Sequence, residues 1–112
     1  MKMSIRSTLL FCAMMVAQAG ATQADVLNEK QIKAVLTALD DEYYAVTFFE
    51  NVIAKFGPEQ PFASVIVTEH DHIGRLVALL RAQGVEPPQN LYQTGGQPTE
   101  PVPETFKQAC EV

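Results

Sequence analysis

A carboxylate and an imidazole three residues apart on a helix lie side by side, and a second carboxylate facing them completes a donor set that a metal ion can use. The sequence offers such a set. Glu69 and His72 fall in "TEHDH" (68–72), within "FASVIVTEHDHIGRLVALL", a segment otherwise almost wholly apolar or small apart from Arg75. Phe62, Val65, Ile66, Ile73, Leu76 and Leu80 recur there at helical spacing, and Glu69 and His72 occupy the same stripe. Earlier in the chain, Glu42 follows Leu39 by three positions and precedes Val46 by four, so it too lies on an apolar stripe. His70, Asp71, Asp40 and Asp41 fall off these stripes and are expected to face solvent.

An ionised carboxylate buried without a partner costs several kcal/mol even after relaxation, about the cost of a lost buried ion pair. Glu42 and Glu69 would also repel each other. Neither Lys33 nor Arg75 lies on a stripe to neutralise them. A divalent or trivalent ion removes the difficulty, because iron and manganese accept carboxylate oxygen and imidazole nitrogen. Glu-x-x-His alone is a weak signal, and a Glu69 tipped outward at the edge of its stripe would leave an ordinary helix. Glu42 on a facing stripe favours the metal reading. No catalytic residue can be assigned.

Two helices must position these groups. Val35, Leu39, Val46, Phe49, Ile53 and Phe56 mark one face of a helix predicted over 25–56, stopped by Gly57-Pro58. A second helix is predicted over 61–83, with proline in its first turn and Gly84 at its end. The short connection 57–61 makes the two antiparallel neighbours. Counted from that connection, Glu42 lies roughly 21 Å along its helix, and Glu69 and His72 roughly 12 and 16 Å along theirs. That mismatch of about 5–9 Å has to be absorbed by side-chain reach and an uneven turn. Residues 85–104, rich in Pro, Gly, Gln and Thr, are expected to form an extended loop, and "PETFKQACEV" (103–112) to open a third helix.

The first 24 residues read as a secretory leader. Lys2 and Arg6 precede the apolar run "TLLFCAMMVAQAG", which is too short to span a bilayer, and small residues offer cleavage after Ala19, Ala21 or Ala24. Cleavage after Ala24 fits best, since the charged, helix-forming chain starts at Asp25. A periplasmic or secreted protein follows, with no membrane attachment after cleavage. Only Cys110 then remains, so no internal disulfide can form. The chain carries thirteen acidic and eight basic residues, and the leader removes two of the basic ones, shifting the net charge from −5 to −7. That balance argues against nucleic acid as a partner. The remaining 88 residues make one small domain.

The stretch "LDDEYYAVTFFENVIAKFGPEQPFASVIVTEHDHIGRLVALLRAQGVEPP" resembles a prokaryotic branch of the ferritin-like superfamily that is catalogued as a domain of unknown function. Glu42 with Ala45 and Phe49, a glycine-proline turn and Glu69-x-x-His72 follow that branch's order over about 70 residues. The resemblance implies an all-α fold: an antiparallel two-helix hairpin (25–84), half of a ferritin-like four-helix bundle, followed by an irregular tail (85–112). It further implies Glu42, Glu69 and His72 as ligands of a di-iron centre, with manganese as an alternative, and oxidation of iron or a small substrate. Ferritin-like bundles take another Glu and another Glu-x-x-His from their third and fourth helices. Here "ETFKQACEV" is the last stretch, so the chain reads as such a protein cut in half. A homodimer or larger homo-oligomer of hairpins would supply the full set. Two other readings use the same stripes: a metal-free helical interaction module, and a truncated fragment without function.

Overall fold

A computed structural model of the protein describes residues 25–112. The expected leader and its cleavage sites lie outside the described residues. Among the described residues the chain is all helical, with two long helices and no strand. None of these helices is long and apolar enough to cross a membrane.

Helix α1 spans Glu29–Phe56. It starts four residues later than periodicity suggests because Asn28 caps it: its side chain accepts from the Gln31 amide while the Gln31 side chain accepts from the Asn28 amide. This reciprocal box satisfies two otherwise orphan donors. Gly57, at φ +89°, ends the helix as expected. Helix α2 spans Phe62–Ala82. Gly84 (φ +72°) closes it, with the Val85 amide bonding back to the Leu80 carbonyl and the Gly84 amide to that of Arg81. That double bond is the Schellman arrangement, which needs a left-handed residue at the glycine.

The two long helices run antiparallel. Phe49 packs on Phe62 near the turn, Glu42 meets His72 further along, and at the far end the Leu27 amide donates to the Gln83 side chain. The stripes account for only part of the core. Leu39 and Val46 of the α1 stripe are buried, as are Phe62 and Leu80 of the α2 stripe, whereas Val35, Phe49, Ile53, Ile66, Ile73 and Leu76 are half-buried.

The rest of the core lies on a second face of α1. Phe48, Val52, Phe62 and Ala109 form a buried cluster, with Tyr44, Val102 and Phe106 packed against it. What covers this face is the stretch 85–104, extended as expected but laid along α1 rather than left loose. Tyr43 donates to the Pro88 carbonyl, Asn90 to Thr47, Tyr92 to Asp40, and Lys55 to the Pro103 carbonyl, which ties the crossover to α1 from Asp40 to Lys55. A single turn, α3 (Leu91–Thr94), interrupts the crossover and is capped by Asn90. A second turn, α4 (Phe106–Ala109), is capped by a Thr105–Gln108 box and begins within the expected third helix. Phe106 sets its ring edge-on against both Phe56 and Phe62, closing the turn end of the hairpin.

Candidate metal centre

The three residues singled out by the stripes come together. Glu42 from α1 and Glu69 and His72 from α2 each place a ligand atom within 4.8 Å of the other two. His72 Nδ1 lies 3.3 Å from Glu42 Oε1. Glu42 and Glu69 are half-buried, and His72 is largely open to solvent.

The level mismatch vanishes for a simple reason. Phe62, the first residue of α2, already lies against Phe49 rather than Phe56, so the connection climbs about two turns back along α1 before α2 begins. Glu42 stands two turns before Phe49, and Glu69 two turns after Phe62, which puts both carboxylates at one height. Counting rise from the turn assumed that the helices start flush, and they do not.

The electrostatics carry the mark of crowded carboxylates. The hydrogen bond shared with Glu42 raises the Glu69 carboxyl to about 7, partial burial and the Glu42 charge push the same way, and His72 opposes them. Glu69 therefore keeps a proton well above the usual carboxylate range and donates it to Glu42. A cation held by these two carboxylates would have to displace that proton. Two carboxylates sharing one exchangeable proton beside an imidazole suit a hard or borderline first-row ion. The fit is to one such ion, since three side chains are too few to saturate a pair.

The neighbouring polar residues divide. Asp71 pairs with Arg75 at 2.9 Å, one turn along the exposed side of α2, a surface pair worth at most about 1 kcal/mol. Asp40 accepts from Tyr92 and so serves the crossover. His70 lies off the stripe and is mostly exposed, as expected, yet it does not face solvent alone: its Nε2 sits 3.7 Å from Glu50 Oε1. Glu50 is not among the residues singled out above, yet it follows Val46 by four positions and precedes Ile53 by three, the kind of spacing that puts Glu42 on the stripe. Among the described residues, no buried side-chain nitrogen or oxygen lacks a partner.

Set against known proteins, the sequence matches no family model, and neither curated proteins nor solved structures yield a similar chain. The functional reading rests on the geometry and on the motif order.

Proposed function

We propose that the protein is an exported, ferritin-like metal-binding protein in which Glu42, Glu69 and His72 hold non-haem iron or manganese. The observation that carries this reading is the convergence of three metal-capable side chains from two helices within 4.8 Å. Once bound, such an ion supplies one-electron redox chemistry suited to oxidising iron or a small substrate. The chain's own residues would do the rest: Glu42, Glu69 and His72 would hold the cation, and the Glu69 carboxyl would give up its proton on binding it.

The path of the crossover supports the ferritin-like assignment. Ferritin-like bundles join their second and third helices by one long connection that returns along the bundle. Residues 85–104 return in this way, from the end of α2 along α1 to the start of α4 at the turn end. Assembly follows from what the hairpin leaves uncovered. Ile66, Ile73 and Leu76 are half-buried, Leu79 is 36% exposed and Val67 67% exposed. A second hairpin related by a two-fold axis would cover part of this surface and bring a second Glu42, Glu69 and His72 to a shared pair of ions.

Stoichiometric Fe(II) or Mn(II) should raise the melting temperature, because the ion binds only the folded state. Glu69→Ala and His72→Ala should each abolish the gain, and His70→Ala should retain it. A melting temperature indifferent to either ion would sink the reading. The Glu42–Glu69 hydrogen bond would then be a self-contained polar contact, and the hairpin a metal-free interaction module.

A further inference from the structure

We propose that Glu50 and His70, with the side-chain amide of Gln93, form a second cation site that takes a divalent ion of the zinc type. Three separate elements bring these groups together: Glu50 from α1, His70 from α2 and Gln93 from α3. His70 Nε2 stands 3.7 Å from Glu50 Oε1, and the other oxygen, Oε2, accepts from Gln93 Nε2 at 3.5 Å. Both contacts are longer than the roughly 2.7–2.9 Å of a strong charge-assisted bond. The carboxylate is therefore loosely held and free to take a better partner.

The spacing suits an ion. Oxygen and nitrogen ligands about 2.1 Å from a tetrahedral zinc lie roughly 3.4 Å apart, so His70 and Glu50 need to close by only a few tenths of an ångström. A half-turn of the Gln93 amide replaces its nitrogen by its carbonyl oxygen as a third donor. Water completes the shell, because His70 and Glu50 keep side-chain exposures of 59% and 33%. The site is thus weak, open and in exchange with solvent.

It is also separate from the Glu42–Glu69–His72 cluster and does not depend on it. Around the α2 axis His70 lies roughly 100° to one side of Glu69, and His72 roughly 60° to the other. The two imidazoles present different atoms as well: His70 offers Nε2 to Glu50, and His72 offers Nδ1 to Glu42. Nothing in one site requires the other to be filled.

The chain has two histidines, so its imidazole signals can be assigned without ambiguity. The test is a zinc chloride titration of ¹⁵N-labelled full chain, followed through the imidazole nitrogens. In the His72→Ala chain, zinc should shift the His70 Nε2 resonance, and Glu50→Gln added to it should weaken that binding by at least about tenfold, the least that loss of a supporting metal contact costs. In the unsubstituted chain the same Nε2 shift should appear beside a Nδ1 shift at His72, which guards against misfolding of the variant. A His70 imidazole unmoved at millimolar zinc in both chains would overturn the proposal. So would an equal shift with and without the Glu50 carboxylate, since that is the behaviour of any free surface imidazole.

Discussion

At the scale of single residues, the proton on Glu69 governs what the metal-free protein does with pH. Its carboxyl is raised from 4.5 to about 7 in the folded chain, chiefly by the hydrogen bond to Glu42. A group whose folded value is raised gives stability in full below its unfolded value and loses it as pH climbs through the folded value. Metal-free protein should therefore lose stability between about pH 5 and about pH 8.5, relative to Glu69→Gln, which keeps a neutral donor at all pH. Parallel melting curves across that range for the two chains would refute the shared proton. Above about pH 8 the same logic makes Glu69→Leu stabilising in metal-free protein, since it removes one of two facing charges. Affinity for iron or manganese should run the other way and rise through about pH 7, because the ion must displace that proton. Glu42, Glu69 and His72 were legible in the sequence because polar residues interrupting an apolar stripe are conspicuous. Glu50 lies at the edge of the same stripe, four after Val46 and three before Ile53, and acquires meaning only when His70 of α2 is laid beside it.

At the scale of the elements, the crossover holds α1 along a second face, beside the one that α2 covers. Asn90 does two jobs, accepting from the Tyr92 and Gln93 amides at the start of α3 and donating to Thr47 and the Tyr43 carbonyl on α1. Asn90→Ala should cost about 1–2 kcal/mol, a lost cap together with hydrogen bonds, and should leave iron or manganese affinity at Glu42, Glu69 and His72 unchanged. Phe106→Ala opens a gap beside Phe56 and Phe62 and should cost about 2 kcal/mol, less than a fully buried phenylalanine would. Chemical denaturation of each variant measures both values, and an effect within error of zero at either position would mean that the crossover does not brace the helix. Both long helices, their stops and the short connection followed from periodicity and from glycine-proline punctuation. The second face of α1 did not. Tyr44, Phe48 and Val52 make a further apolar stripe at four-residue spacing, and a helix with two stripes must be covered on two sides. A single-stripe reading passes over it, and the Pro-rich composition of 85–104 says extended without saying where the chain lies.

At the scale of the whole molecule, the core is thin. Among the described residues seven apolar side chains are buried, and several others on α2 remain half-open. A domain this small is marginal by itself, and self-association is the economical remedy. The melting temperature should rise with protein concentration, and sedimentation should detect a dimer or larger species. A monomer whose cooperative transition is unchanged over a wide dilution series would exclude this.

The crossover's hydrogen bonds to α1 join residues 43 to 56 positions apart, whereas the α1–α2 turn closes over five. Closing a longer loop carries a larger entropic cost, which slows the pairing of distant segments. The hairpin should thus form first and wait, with Phe48 and Val52 bare, until the Pro-rich segment arrives. The last part to settle is also the first to open. The Gln97 amide, which bonds to the Leu91 carbonyl within the crossover, should exchange with heavy water well before amides in the middle of α1. Equal protection of the two would show instead that helix and crossover come and go as one cooperative unit.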